Sequence, residues 1–335
     1  MTANPVLVEV TRGNVVESRH RGAFCVVDGD GKTVLSLGDV ELPIFPRSAI
    51  KAIQALPLIE SGAADAYGLD DRALSLACSS HSGESKHVAM AMDMLQRAGC
   101  DDTCLECGGH WSSQDWVMRE QAKIYDTTPP AICNNCSGKH AGFICTSVHN
   151  GIDPKGYIGP DHPTMENVRG TLEAVTGAAH TEEMRGTDGC SIPTYAIGLD
   201  AMARGFAKMA TGAGLEPQRA AAGKRLLDAC MNEPYYMAGT NRFCTNVMTL
   251  GDGRLFAKTG AEGVFCGAIP EMGLGIALKC DDGQTRASEA LMAAIFNHLL
   301  PIDDPLQRGL SDMANVPIHN RNDIHTGDIR AQVAF

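Results

Sequence analysis

A chain of 335 residues, 44% apolar and 20% charged, is long enough to bury a sizeable core and too apolar to remain disordered. Its 28 basic and 40 acidic residues leave a net charge of −12, which offers no attraction to phosphate backbones or anionic membranes. No apolar run approaches the roughly 18 residues of a membrane span. Residues 1–14 lack the basic and apolar regions of a leader, so a cytoplasmic protein binding neither nucleic acid nor membrane is expected.

Short strands are predicted first. Residues 6–10 form a β-branched apolar run, and 23–27 and 33–37 flank Asp28-Gly29-Asp30-Gly31-Lys32, a hairpin signal. Helical spacing follows at 86–98, where Val88, Ala91, Met92 and Leu95 share a face and Gly99 marks the stop. Residues 163–175, 195–210 and 218–230 also read as helices. Strand texture returns at 254–257, 263–268 and 274–278, broken by Gly and Pro. A last helix is predicted over 288–300, with Leu291, Ala294, Ile295 and Leu299 on one face. The polar, weakly periodic tail 303–335 is expected to wrap the surface. Strands at both ends around a helical centre imply an α+β fold: one unit over 1–335, with an antiparallel sheet from about 5–45 and 250–300 and a helical part over about 46–249.

Two motifs carry the strongest chemical signal. Ser48-Ala49-Ile50-Lys51 is an S-x-x-K opening an apolar helix, which puts the Lys51 amine and the Ser48 hydroxyl on one face. A hydroxyl needs a base to become a nucleophile, and a lysine serves only when burial or nearby cations, here Arg47 and Lys258, lower its pKa. Lys258-Thr259-Gly260 supplies K-T-G at the end of a predicted strand. Their order is that of class A β-lactamases and penicillin-binding proteins. The S-D-N motif of those enzymes is missing from the middle, and Ser311-Asp312-Met313 comes too late to replace it.

Cys78-Ser79-Ser80-His81-Ser82-Gly83-Glu84 is open to two readings. Ser80 is a second hydroxyl positioned by Lys258, or Ser82 or Ser85 merely caps the next helix. Thirteen cysteines, an odd number in an expected reducing compartment, point to free thiols or metal ligands. Cys25, Cys145, Cys230, Cys266 and Cys280 sit among apolar residues and read as core. The pairs Cys104/Cys107 and Cys133/Cys136 leave open a four-thiolate zinc site or a redox pair.

Taken together, Pro46-Arg47-Ser48-Ala49-Ile50-Lys51, the 78–84 cluster, Cys136-Ser137-Gly138-Lys139-His140, Gly186-Thr187-Asp188-Gly189-Cys190 and Lys258-Thr259-Gly260 resemble the L-asparaginase II family, close to its rhizobial type. The resemblance runs from Glu17-Ser18-Arg19-His20-Arg21-Gly22 to Lys258. No T-G-G-T segment of the bacterial threonine enzymes occurs, and Gly170-Thr171, Gly186-Thr187 and Gly239-Thr240 are isolated pairs. The resemblance implies a serine-β-lactamase-like fold, a homodimer, and hydrolysis of L-asparagine to L-aspartate and ammonia. It implies two Ser–Lys tandems, Ser48 with Lys51 and Ser80 with Lys258. It also implies a zinc ion on Cys136, Lys139, Cys190 and water, leaving Cys133 outside the site.

On this reading Ser48 attacks the side-chain amide and Lys51 takes its proton. The N–H groups of Ser48 and Ala261 form the oxyanion hole, and Ser80 and Lys258 relay a proton. Arg47 fixes a carboxylate or forms a structural ion pair. His140 and Asp188 bind substrate or support the metal ligands. A glutaminase or other Ser–Lys amidohydrolase is the alternative within enzymes; a zinc- or thiol-based interaction protein is the non-catalytic one.

Overall fold

β2 (Val15–Val27), the longest strand, organises the sheet in the computed structural model, which describes residues 3–333. Its first half pairs antiparallel with β1 (Val6–Arg12). Its second half pairs with β3 (Thr33–Leu37) and β8 (Leu274–Cys280). Beyond β8 lie β7 (Val264–Ile269) and β6 (Phe256–Thr259), and beyond β1 lie β10 (His325–Ala331) and β9 (Asn315–His319). The order is therefore β6-β7-β8-β2-β1-β10-β9, with β3 beside β2. The sheet draws on both ends of the chain, as the strand texture predicts. The Asp28–Lys32 hairpin also forms, with Asp28 Oδ1 accepting from the N–H groups of Asp30 and Lys32.

β7 and β8 read as nearly continuous apolar runs because both faces are covered. The helix Leu199–Thr211 lies on one face and Thr285–Leu299 on the other. The first approaches so closely that a Cβ on Gly275 would lie 2.1 Å from the Ala203 carbonyl oxygen. Only glycine permits that contact. A continuous cluster of buried side chains runs from Leu7 on β1 through the helices to Leu310, joining sheet and helical part.

The helical centre runs from Arg47 to Gly251, and a small hairpin interrupts it: β4 (Arg185–Thr187) paired with β5 (Pro193–Tyr195). The expected helix over 195–210 therefore begins only at Leu199, because Pro193–Tyr195 is spent on the hairpin. A larger correction concerns the tail. Residues 303–333 do not simply wrap the surface: they form the helix Gln307–Ala314 and then β9 and β10, with β10 pairing along β1. The sequence hides these strands because backbone hydrogen bonds hold them at a polar edge with little apolar alternation. Among the described residues no helix is long and apolar enough to cross a membrane.

Candidate active site

The S-x-x-K segment starts at Arg47, whose φ of 50° turns the backbone into the left-handed region. A 3₁₀ turn, Arg47–Ile50, leads into the helix Lys51–Gln54. Residues three apart eclipse in such a turn, so Ser48 and Lys51 lie on one side. Lys51 is fully buried, and its Nζ donates to Ser79 O at 2.6 Å, Ser80 Oγ at 3.0 Å and Cys136 Sγ at 3.0 Å. From the end of β6, Lys258 Nζ donates to the same Ser80 Oγ at 3.0 Å and to its neighbour's carbonyl, Thr259 O, at 2.7 Å. Two lysine amines thus converge on one hydroxyl. The expected split into two separate tandems is replaced by sharing: among the described residues no hydrogen bond joins Ser48 to Lys51.

Above Ser80 opens a cleft of about 180 Å³ whose walls include Ser48, Ser112, Arg242, Thr259 and Ala261. Ser48 and the K-T-G strand end therefore share one cavity. Among the described residues the N–H groups of Ser48 and Ala261 have no backbone partner, whereas that of Ser80 donates to Met237 O at 3.1 Å. Burial, helped by the charge of Lys51, brings Lys258 down to about 7, so its neutral amine is accessible near neutral pH. His81, also in the wall, accepts from Gly83 N at Nδ1. Its Nε2 therefore carries the proton and faces Ser137 Oγ at 3.0 Å. Burial first, then His87 and Lys51, hold this imidazole neutral.

Behind Lys51 lies the sulfur cluster. Cys136 immediately precedes the helix Ser137–His149, which brings Lys139 round to its side. Cys190 arrives from the β4–β5 turn, closed by Ser191 N donating to Asp188 O. Lys139 Nζ donates to Cys190 Sγ at 2.9 Å, and all three residues are buried. The hydrogen bond between the two thiols, with the charges of Lys51 and Lys139, pulls Cys136 well below the usual thiol range. The same bond and burial push Cys190 up. Burial opposes the charge on Lys139, but Cys190, Cys136 and Asp188 outweigh it and raise its pKa.

Arg47 Nε donates to Asp188 Oδ1 at 2.5 Å. Burial would raise the Asp188 carboxyl, but Lys139 and Arg47 bring it below its ordinary value. Arg47 is thus committed to an ion pair rather than free for a substrate carboxylate. His140 is buried with Nδ1 2.6 Å from the Tyr157 hydroxyl, and neither it nor Asp188 is part of the cleft wall.

The four-cysteine alternative does not assemble. Cys107 Sγ donates to Ala131 O and Cys133 Sγ to Tyr125 Oη, while Cys136 meets Lys51. Among the described residues no group of three His, Cys, Asp or Glu side chains is arranged to hold a metal. All thirteen cysteines are free. The serine-cap reading also changes. Glu84, not Ser82 or Ser85, precedes the helix Ser85–Arg97, and its N–H donates to His87 Nδ1. The Glu84 carboxylate accepts from Thr240 N, Thr240 Oγ1 and Tyr235 Oη, fixing the loop that carries Arg242. Sequence reasoning missed Arg242, which belongs to no motif.

The sequence profile of the L-asparaginase II family matches residues 8–331. The chain belongs to the L-asparaginase II family. That places it among asparaginase-type amidohydrolases, and the profile spans both lysines, both serines and the sulfur cluster. No curated protein matches the sequence. Among solved structures the chain is similar to a β-lactamase from Mycobacterium bovis, at 13% identity and a TM-score of 0.42 over 83% of this chain and 94% of that one. It is similar also to a variant of simvastatin synthase from Aspergillus terreus, at 12% identity and a TM-score of 0.41 over 88% of this chain and 90% of that one. These are loose likenesses, from which no chemistry follows.

Proposed function

We propose that the protein hydrolyses L-asparagine to L-aspartate and ammonia through a Ser–Lys acyl-enzyme. The observation that carries this reading is the convergence of Lys51 and Lys258 on Ser80 at the floor of a cleft that also holds Ser48, in a chain of the L-asparaginase II family. Ser48 Oγ bonds to the side-chain amide carbon, and its proton passes to the amines of Lys51 and Lys258 gathered on Ser80 Oγ, across the same cleft. The free N–H groups of Ser48 and Ala261 receive the oxyanion. Collapse breaks the C–N bond, and the proton, relayed through Ser80 and Lys258, leaves with ammonia. Water then attacks the ester by the reverse route and releases aspartate.

A specific observation favours a second assignment of the nucleophile. Ser80, with two amines on its Oγ, is better placed to lose a proton than Ser48. Against it, its N–H is engaged by Met237 O and cannot serve an oxyanion. Acid-quenched enzyme, digested and weighed by mass spectrometry, distinguishes the two: the aspartyl ester sits on the Ser48 peptide or on the Ser80 peptide. Ammonia release from asparagine and glutamine tests the substrate. A pocket that differs by one methylene discriminates only about 10–200-fold. No ammonia from either amide would end the amidohydrolase reading.

Cys136, Lys139 and Cys190 would hold the zinc ion, with water as the fourth ligand. Two adjacent buried thiols, one already disposed to lose its proton, suit zinc's preference for sulfur donors; Lys139, kept protonated here by Cys190, Cys136 and Asp188, would become the nitrogen donor only once the dication displaced its proton. Bound there, the ion would supply a fixed positive charge behind Lys51. Metal analysis of protein purified without chelator should find about one zinc per chain, and Cys190→Ser should lose it. An equal metal content in Cys190→Ser would refute the assignment. A homodimer is part of the same reading and is checked by light scattering.

A further inference from the structure

Among the described residues Arg242 is the one arginine or lysine of the cleft wall, and it has no function in the reaction proposed above. Lys51 and Lys258 are turned onto Ser80, and Arg47 is neutralised by Asp188. The Arg242 guanidinium makes no hydrogen bond and no ion pair with any described residue; its backbone N–H donates to Gly239 O and its carbonyl accepts from Asn246 N. Its charge acts on Glu289, whose carboxyl burial pushes up to about 7, but the two are not within ion-pair distance. A half-buried guanidinium left without a partner beside the reacting hydroxyls is an anion site, and its planar fork matches a carboxylate.

The chain is shaped to put it there. Gly239 has φ 116° and ψ −176°, a conformation essentially confined to glycine, and Asn241 has a φ of 59°. Between them Thr240 is tied by two hydrogen bonds to Glu84, and Thr245 Oγ1 donates to Gly239 O. A strained, clamped tetrapeptide thus delivers one side chain into the cleft. The cavity, about 180 Å³, is smaller than the roughly 300–1,000 Å³ clefts that take drug-sized ligands, and fits a single amino acid.

We propose that Arg242 binds the α-carboxylate of the substrate and so restricts the cleft to free amino acids bearing a side-chain amide. The inference rests on the amidohydrolase reading and deepens it. An asparaginyl residue inside a peptide has no such carboxylate and would leave the guanidinium unpaired.

The test compares wild type, Arg242→Gln and Arg242→Lys on L-asparagine and on β-alaninamide, which is asparagine without its α-carboxylate. Circular dichroism confirms folding. In Arg242→Gln the KM for asparagine should rise about 10- to 100-fold, the loss of one charge-assisted contact, with kcat changed only a few-fold. The kcat/KM for β-alaninamide should stay near wild type, and Arg242→Lys should recover part of the asparagine KM. The Kd for L-aspartate by calorimetry should rise by a similar factor. That readout needs no turnover of the truncated substrate. An unchanged KM and Kd in Arg242→Gln would overturn the proposal. So would equal losses on both amides, which would mark Arg242 as structural. A wild type that releases no ammonia from asparagine would instead show that the amidohydrolase reading itself has failed.

Discussion

Ser80 Oγ can release its proton only to an amine that is itself neutral, and Lys258 is the buried amine brought down to about 7. Below that value Lys258 holds its proton and cannot accept another; above it the amine is free. The kcat/KM for asparagine should therefore climb as pH rises through about 7, and in Lys258→Met this limb should vanish together with roughly 10²–10⁴-fold of the rate. A Lys258→Met profile that keeps the same inflection would assign it to another group. Ser48→Ala should abolish turnover with the fold intact, whereas near-wild-type activity would transfer the attack to Ser80. At this scale the sequence was partly legible. S-x-x-K and K-T-G showed which hydroxyl and amines to watch because their spacing is local. The Ser80–Lys258 contact was anticipated, across 178 residues of chain; that Lys51 also turns onto Ser80 was not legible, since it depends on how far the lysine reaches in the folded chain. Arg242 was invisible because a single arginine after a turn has no pattern.

The loop between the helices Pro234–Ala238 and Phe243–Gly251 shows how an element can be set by one residue. A Cβ on Gly239 would lie 2.5 Å from Glu84 Oε1 and 2.7 Å from Ser82 Oγ. Gly239→Ala must therefore change the backbone or push Glu84 away from Thr240. It should cost about 1–3 kcal/mol in urea unfolding, and it should raise the asparagine KM by displacing Arg242. Wild-type stability and kinetics in Gly239→Ala would show that the loop tolerates another path. The hairpin β4–β5 shows the limit of sequence periodicity from the other side. Three-residue strands are too short to display alternation, so Pro193–Tyr195 was absorbed into the neighbouring helix. The cysteine spacing left the pairing open for a related reason. Two C-x-x-C pairs look like knuckles, yet Cys136 pairs with Cys190 across 54 positions of chain because the hairpin turn, not the local spacing, brings sulfur to sulfur.

At the level of the whole molecule, the expected plan of strands from both ends held, because β7 and β8 are apolar enough to be read and β1 is β-branched. What it missed was how the sheet is closed. β10 pairs Val8 with Ala331, Glu9 with Arg330 and Val10 with Ile329, and Gln332 N donates to Leu7 O. Leu7, Val8 and Val10 are buried, so β1 without this partner would offer a row of open N–H and C=O groups beside apolar side chains. A chain stopped after Ala314 keeps every residue assigned to the cleft and to the sulfur cluster, and it keeps the helix Gln307–Ala314 against Thr285–Leu299. It loses only β9 and β10. We expect it to retain helical circular dichroism and asparagine turnover in its soluble fraction. It should melt several degrees lower and form species larger than the full-length protein, increasing with concentration in light scattering. Equal size and melting temperature for the truncated and full-length proteins would mean that β1 is protected by something other than the C-terminal strands.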